Sequence, residues 1–381
     1  MLAVAVALAA AGLVVILTQS PASRLSSDFT INYSAGALVR QGHLAAPYDQ
    51  AALGAMMQRV APDGAIDPRL PFSLPLVAAL PYAVLSLLPF ELAFRLCQLL
   101  SAALLLLAVL LLQRAAPIGG KVTLGLGLVG VLAAVPTWGA FTEGQPTAWL
   151  LLGATMIVLA LRSDSLGLAA GAGILLAVKP QYLPVYLTIL FAARRWRSLG
   201  AAATGGAIVL LSPLVGGAAG LSAMVHNALS ANQAVAIRLN ESWIGVIGPV
   251  LPTRVATMVA IALYLAVLLA LGRLAWRRLP SLIGFATLAG ALAVLASPHA
   301  LPHDLLILAV PAWLAIVLCR QGALPNPLPA LLAIDLAILI DLRGIDVPLG
   351  AIVMTAVVAW YGWQFRQRAA RRRRPPIGRA A

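Results

Sequence analysis

Long apolar stretches recur along almost the whole chain, and they limit what it can fold into more than any other feature. A helix that spans a membrane needs about 20 predominantly apolar residues. The candidate spans are 2–18, 91–112, 122–138, 146–161, 166–178, 182–193, 199–217, 255–272, 281–296, 304–319, 328–342 and 347–364. The sequence therefore predicts an all-α integral membrane protein with about 12 transmembrane helices.

The composition leaves little room for a soluble fold. Of the 381 residues, 61% are hydrophobic and only 10% are charged, whereas soluble domains carry about 25% charged residues. The surplus apolar surface must face lipid. The net charge of +14 lies in short basic clusters between apolar stretches and at the C-terminus. This pattern is typical of membrane orientation and argues against nucleic acid as a partner.

The apolar segment 71–88 decides the topology, because prolines interrupt it and it need not cross the membrane. If it does not cross, most basic clusters fall on one face and nearly every carboxylate on the other. Basic loops favour the cytoplasm. We therefore expect 71–88 to lie in the outer interface, both termini to be cytoplasmic, and any chemistry to face outwards in a multi-pass protein of the cell membrane.

This topology predicts one polytopic membrane domain over residues 1–365. Its outer mass consists of a first loop, 19–90, with interfacial helices, and a second large loop, 218–253. The basic cytoplasmic tail, 366–381, is expected to contact anionic membrane lipids. The two cysteines, Cys97 and Cys319, would lie near opposite faces, so no disulfide is expected.

The first outer loop begins SSDFTINYSAGALVRQGHLAAPYD, residues 26–49. Asp28 follows the first apolar stretch closely, which places it near the membrane surface. Tyr33, Ala37 and Arg40 recur at near-helical spacing and predict an amphipathic helix in the interface. The Asp28 carboxylate could act in catalysis, or it could cap that helix at its N-terminus.

The sequence AVKPQY, residues 177–182, joins two apolar stretches of about 13 residues each, or roughly 20 Å of helix. The hydrocarbon core is about 30 Å thick, so Lys179 and Gln181 are expected at an intramembrane tip or in an outward cavity. A buried ammonium needs an anionic partner. A phosphate group and Asp304 are both candidates, and snorkelling to the interface is the third alternative.

The sequence SPHALPHD, residues 297–304, carries His299 and His303. Their spacing resembles that of metal ligands, but Pro298 and Pro302 interrupt the helix that would align the rings, so no metal site is predicted. Contact of a histidine with phosphate or sugar remains open, as does helix-end capping.

Two more polar segments could contribute to a site. FTEGQPTAW, residues 141–149, offers Glu143 and Gln145, and HNALSANQAVAIRLNESWIG, residues 226–245, offers Arg238 and Trp243. Amides, an arginine and a tryptophan suit a sugar ring, but they equally suit a solvated loop. The chain has neither a Walker A loop nor a dinucleotide fingerprint. No cofactor is therefore expected, and a sugar donor would have to arrive linked to a lipid.

The order of these motifs resembles glycosyltransferase family 87. The likeness rests on the Asp28 loop, the proline-rich LPFSLPLVAALPYAVLSLLP, EGQPTAW, LLAVKPQYLPVYL and the following RRWR. It runs from about residue 20 to 200 and weakly to about 310. The family belongs to the C-type membrane glycosyltransferases and includes polyprenol-phosphate-mannose-dependent mannosyltransferases.

The resemblance implies transfer of a sugar, with mannose as one candidate, from a polyprenyl-phosphate donor to a lipid or glycan acceptor, with inversion. By this analogy Asp28 is the catalytic base. Lys179, Gln181 and Gln145 correspond to the donor site, and His299 and His303 match a histidine-containing segment on the outer face only approximately. Arg238 is an additional candidate for the donor phosphate.

Two other functional classes fit parts of the pattern. A secondary transporter or lipid flippase would also have many spans and an intramembrane lysine, but such folds usually contain internal repeats, and none is evident here. A non-catalytic membrane subunit is the other alternative. In that case substitution of Asp28 or Lys179 would leave function intact.

Overall fold

The computed structural model describes residues 2–62, 65–119, 121–234, 237–277, 279, 281–342 and 348–372. Throughout these ranges the regular structure is helical, with no strand. The helices are α1 (Leu2–Thr18), α2 (Pro21–Leu25), α3 (Asp28–Arg40), α4 (Gln50–Val60), α5 (Leu80–Leu85), α6 (Phe90–Ala115), α7 (Lys121–Ala133), α8 (Val135–Thr142), α9 (Thr147–Ser163), α10 (Leu166–Leu176), α11 (Leu183–Ala192), α12 (Trp196–Leu211), α13 (Gly217–Ala234), α14 (Trp243–Ile247), α15 (Thr253–Trp276), α16 (Leu282–Leu295), α17 (Ala309–Arg320), α18 (Leu328–Asp341) and α19 (Leu349–Arg372). Short 3-10 helices lie at Ala46–Tyr48, Leu76–Ala79, Ser212–Gly216, Ile237–Leu239, Gly248–Val250 and Pro302–Leu308.

Helices occur at every predicted span, and their lengths separate them into two groups. Among the described residues, four segments are long and apolar enough to cross a membrane, namely α6, Trp196–Asn232, α15 and Pro302–Arg320, and the bent pair α7–α8 would make five. The remaining apolar helices are shorter, at 10–17 residues. The chain is thus an all-helical, multi-pass membrane protein, while the count of about 12 spans stays a prediction.

A sharp bend of 64° separates α7 from α8. Such a break leaves backbone groups without partners inside the membrane, where each would be costly. Side chains that follow the break compensate. The Thr137 hydroxyl donates to the carbonyl of Val131 at 2.5 Å, and the indole of Trp138 donates to that of Leu132 at 3.1 Å. These bonds hold α8 in a fixed direction relative to α7.

The basic loops meet at one end of the bundle. The guanidinium of Arg195, between α11 and α12, forms a 3.2 Å ion pair with Asp164, which follows α9. Arg194 donates to the carbonyl of Trp276, the last residue of α15, at 2.6 Å and stacks over its ring. The C-terminal ends of α9 and α15 therefore lie beside the start of α12, as the charge pattern predicts for one face.

The first outer loop packs into the protein more tightly than an interfacial helix would require. Ten of the 13 residues of α3 are buried, with Phe29 fully so. The apolar segment 71–88 forms only the 3-10 helix Leu76–Ala79 and α5, and the Tyr82 ring of α5 packs edge-on against Phe29. Ten apolar helical residues make a helix of only about 15 Å. That 71–88 does not cross the membrane and that it lies in the interface both remain predictions.

The second outer segment is mostly helical, where the sequence indicates a loop. Residues 217–234 form α13, and its Asn227 amide donates to the carbonyls of Tyr48 at 3.4 Å and Phe72 at 3.2 Å. The two outer segments are therefore in direct contact.

The predicted tail 366–381 begins inside α19, and residues 373–381 lie outside the described residues.

The short hairpin that carries Lys179 agrees with the sequence prediction. α10 and α11 have 11 and 10 residues, or about 15–17 Å each at 1.5 Å per residue. Lys179 lies in the turn between them and is 7% exposed.

Both cysteines are free, as expected, and the sulfur of Cys97 lies near the carbonyl of Gly144, at 3.9 Å.

Candidate active site

Asp28 lies at the N-terminus of α3, but it does not cap that helix as one alternative proposed. Ser27 occupies the N-cap position, and Asp28 is the first helical residue. The Asp28 carboxylate instead accepts a hydrogen bond from the side-chain amide of Gln145. Its backbone N–H donates to a carboxylate oxygen of Glu143 at 3.1 Å. Glu143 and Gln145 belong to one turn, 115 and 117 positions from Asp28 in the sequence. They hold Asp28 at two points, its backbone N–H and its carboxylate.

The turn that contains Glu143 and Gln145 depends on the glycine between them. Gly144 has φ +60°, a left-handed conformation that glycine adopts without strain. A Cβ atom there would lie 2.7 Å from the Cβ of Phe29. The Tyr82 hydroxyl donates to the Gly144 carbonyl at 3.2 Å. The turn is therefore packed directly against the residue that follows Asp28.

Glu143 is the carboxyl group most affected by this arrangement. It is half-buried, and burial together with the charge of Asp28 raises its pKa from 4.5 to about 7. At neutral pH Glu143 is therefore partly protonated, and its charge depends on pH.

A second polar cluster surrounds Lys179. Its ammonium forms an ion pair with Asp304, whose side chain is fully buried, and lies 3.5 Å from Nε2 of His303. The other carboxylate oxygen of Asp304 accepts from the backbone N–H of Leu301 at 3.2 Å. Asp304 is therefore both the partner of Lys179 and a helix-end cap, two of the alternatives that the sequence left open.

His299 is held in one orientation by Asn232. The amide nitrogen of Asn232 donates to the carbonyl of Pro298 at 2.9 Å, so its amide oxygen faces Nδ1 of His299 at 2.8 Å. Because that oxygen can only accept, Nδ1 carries the proton and Nε2 is an acceptor. Burial lowers the pKa of His299 to about 4. A neutral ring with this tautomer offers an acceptor at Nε2, and its contact with phosphate or sugar stays a prediction.

Gln181 faces the same segment as His299. The side-chain amide of Gln181 donates to the backbone carbonyl of His299 at 3.0 Å. The backbone carbonyl of Gln181 accepts from the Tyr264 hydroxyl at 2.6 Å. Within the described residues its polar groups thus serve to join the Lys179 turn to the histidine segment and to α15. The structure gives Gln181 a packing role, and its assignment to a donor site stays a prediction.

Helix α8 brings the two clusters together. Its residue Gly139 lies against His303, with only 3.4 Å between a Cβ built on the glycine and the Cβ of His303. One turn later the helix ends at the turn that holds Asp28. The Asp28 carboxylate acts electrostatically on both His299 and His303. The sequence-predicted residues from the start of α3, the Lys179 turn and the histidine segment therefore converge on one end of the bundle.

Two further predictions, a role for Arg238 and a solvated loop at its segment, have different outcomes. The backbone of Arg238 belongs to the 3-10 helix Ile237–Leu239, and its side chain lies outside the described part of the structure. The neighbouring Asn240 and Glu241 are buried, and they bond the N–H and the carbonyl of Ala300 at 2.9 and 2.7 Å. These contacts make them supports of the histidine segment rather than parts of a solvated loop.

The described residues contain no group of three or more His, Cys, Asp or Glu side chains that could hold a metal ion. Near Asp28 the Gln145 amide nitrogen and the Glu143 carboxylate are paired with Asp28, while the side-chain carbonyl oxygen of Gln145 is buried without a partner among the described residues. Carboxylates, one lysine and neutral imidazoles can accept a proton and hydrogen-bond hydroxyl groups. This chemistry suits transfer to an alcohol.

Sequence reasoning underrated three of these residues. Glu143 was visible two positions before Gln145, but only the fold places it on the Asp28 amide. Asp304 was considered as a partner of Lys179, and its capping role depends on the local 3-10 geometry. Asn232 gave no signal, because nothing in the sequence relates it to a histidine 67 positions away.

Comparison with known proteins adds one finding to this geometry. The family model described as glycosyltransferase family 87 matches residues 72–298, more than half of the chain. The matched region contains the EGQ turn, the Lys179 hairpin and α13, and it ends just before His299. Neither a curated protein nor a solved structure matches the chain.

Proposed function

Since the chain belongs to glycosyltransferase family 87, we propose that this membrane glycosyltransferase takes its sugar from a polyprenyl-phosphate donor and transfers it to an acceptor hydroxyl on the outer face of the membrane, with Asp28 as the base. The observation that carries the proposal is the convergence of Asp28 with the Lys179 cluster around α8.

The proposed reaction is a single displacement at the anomeric carbon. The acceptor oxygen forms a bond to that carbon while the bond from the carbon to the phosphate oxygen breaks, and the electron pair leaves with the polyprenyl phosphate. Asp28 takes the proton of the attacking hydroxyl. One base suffices because a phosphate leaves without being protonated, unlike the alcohol released by glycosidases, which use two carboxyl groups. Inversion at the anomeric carbon follows from the single step.

Lys179 is proposed to stabilise the phosphate as its charge grows. An ammonium has three N–H donors, and the described contacts involve Asp304 and His303. The remaining donor capacity can serve a phosphate oxygen. In a site with few waters such a charge-assisted bond is stronger than in solvent. Mannose is one candidate for the sugar, and a lipid or glycan supplies the acceptor hydroxyl.

The outward orientation of the site is supported by charge. The basic loops cluster at the end formed by the termini of α9 and α15, and basic loops favour the cytoplasm. Asp28 is the first residue of α3, and Glu143 follows the last residue of α8. Both lie away from that cluster. We therefore propose that the site faces away from the cytoplasm and that both termini lie inside the cell.

The decisive experiment compares two Asp→Asn variants in lipid nanodiscs with a set of radiolabelled polyprenyl-phosphate sugars, mannose first, and native membrane lipids and glycans as acceptors. Asp28→Asn should reduce transfer by roughly 10²- to 10⁴-fold, the usual contribution of a general base. Asp67→Asn is the matched control, because Asp67 lies in the same outer loop and its carboxylate is paired with the exposed Arg69. If Asp28→Asn transfers as fast as this control, the assignment of the base is wrong.

A further inference from the structure

Glu143 forms no part of the displacement proposed above, although its carboxylate contacts the Asp28 backbone. Its oxygen accepts from the Asp28 N–H at 3.1 Å, and this N–H is the first of the helical amides of α3. The first four N–H groups of a helix have no partner within the helix. The N-cap residue, Ser27, makes no side-chain cap bond. Glu143, from the turn after α8, therefore supplies a cap that the local sequence does not.

This cap is fixed rigidly. Glu143 follows α8, whose direction is set by the bonds across the 64° break. The next residue, Gly144, lies against Phe29, and Gln145 binds the Asp28 carboxylate. The turn thus fixes both the backbone and the side chain of Asp28. A carboxylate that served only as a cap could be replaced by any acceptor without consequence for the chemistry.

The negative charge gives Glu143 a second effect. Among the described charged groups, Asp28 on α3 is the one whose charge raises the pKa of Glu143. On α6, Glu91 is already paired with Arg24 at 2.6 Å, and beyond Gly139 the Pro302–Leu308 segment contributes His303 and Asp304, the latter paired with Lys179. An ionised Glu143 is a stronger acceptor for the Asp28 N–H than a neutral side chain would be, because a hydrogen bond to a charged group is about twice as strong as one between neutral groups.

We propose that Glu143 is a positioning residue for the Asp28 base, which it holds through the Asp28 amide and holds more firmly when its own side chain is charged. The inference rests on the proposed function of Asp28. It makes two separable predictions, one for the hydrogen bond and one for the charge. Glutamine keeps the acceptor oxygen but loses the charge, and leucine loses both.

The hydrogen-bond prediction is tested by amide hydrogen exchange of the full chain in nanodiscs. Glu143→Leu should accelerate exchange at residues 28–31 by about two- to thirty-fold, the range expected when a helix loses its cap. Glu143→Gln should restore protection to near the native level. Asp49→Leu is the matched control. Asp49 caps α4 through the amides of Ala51 and Ala52 at 2.8 and 3.2 Å, so this variant should affect only those amides.

The charge prediction is tested by the pH dependence of kcat in the same transfer assay. The native rate should rise with pH through about 7 as Glu143 ionises. Glu143→Gln should lack this rise and should be slower than the native protein above pH 8, with KM for the donor unchanged. Asp49→Leu should keep the native profile, because Asp49 lies at the start of a different helix.

The outcomes distinguish the two proposals. An inactive Asp28→Asn with a native pH profile in Glu143→Gln would refute the role of the charge and leave the base assignment intact. Unchanged exchange at residues 28–31 in Glu143→Leu would refute the positioning role, whatever the activity. A fully active Asp28→Asn would refute the proposed function itself, while the exchange result would still report on the cap.

Discussion

Replacing Gly144 by alanine tests whether the turn beside Asp28 is as constrained as its geometry indicates. Two costs add at this position. The backbone has φ +60°, and a residue with a Cβ pays about 1–2 kcal/mol for the left-handed conformation. The new methyl group would also lie 2.7 Å from the Cβ of Phe29, and overpacking of this kind costs about 1–3 kcal/mol. The free energy of unfolding should therefore fall by about 2–5 kcal/mol.

Gly42→Ala separates the two costs. Gly42 also has a positive φ, +86°, at the other end of α3, but no atom lies within 4 Å of the position that its Cβ would occupy. It should lose only the conformational part, about 1–2 kcal/mol. The difference between the two variants, about 1–3 kcal/mol, then measures the contact between the turn and Phe29.

The assay is reversible unfolding of both variants in mixed micelles, followed by tryptophan fluorescence, together with the rate of sugar transfer. Gly144→Ala should also lose activity, because a shift of Phe29 moves the adjacent Asp28, and a displacement of about 1 Å can cost 100-fold in rate. Equal losses of stability in the two variants would show that the turn does not pack against Phe29. The account of how Asp28 is held would then be wrong.

Three further predictions address the second cluster and the outer segments. Lys179→Met should destabilise the protein by about 3–5 kcal/mol because it leaves the Asp304 charge buried alone, and adding Asp304→Asn should restore the unfolding temperature without restoring transfer. Burial lowers the pKa of His299 from 6.5 to about 4, so between these pH values the native state binds fewer protons than the unfolded state. Stability should therefore be greatest above pH 6.5 and fall on acidification towards pH 4. His299→Gln should flatten this dependence of Tm on pH. Asn227→Leu should cost about 1–3 kcal/mol by leaving the carbonyls of Tyr48 and Phe72 without their donor, and an unchanged Tm would show that the two outer segments are not joined there.

The apolar helices were predictable because each depends on a property of a contiguous segment. Apolar length alone predicts a helix at each candidate span, and the charge pattern grouped the ends of α9 and α15. The same reasoning missed α13, because its mixture of alanine, serine and asparagine is polar enough to resemble a loop. Its stability comes from packing against the first outer segment, which no local window of sequence contains.

The candidate site was predictable only in part for a related reason. Asp28, Lys179 and His303 stand out as polar groups in or near apolar surroundings, and the structure brings them to the same region. What each one touches depends on pairs far apart in the chain. The Gln145 amide reaches Asp28 across 117 positions, and the Lys179 ammonium reaches Asp304 across 125. Such pairings follow from the packing of α8 and the histidine segment, not from any motif.

The buried pair of Lys179 and Asp304 has a consequence for how a substrate arrives. The two charges nearly cancel at any distance larger than their separation, so the pair produces little field beyond its immediate surroundings. A lipid phosphate in the bilayer would then not be drawn in by long-range attraction. It would reach the site by lateral diffusion, and the rate of its capture should depend only weakly on ionic strength.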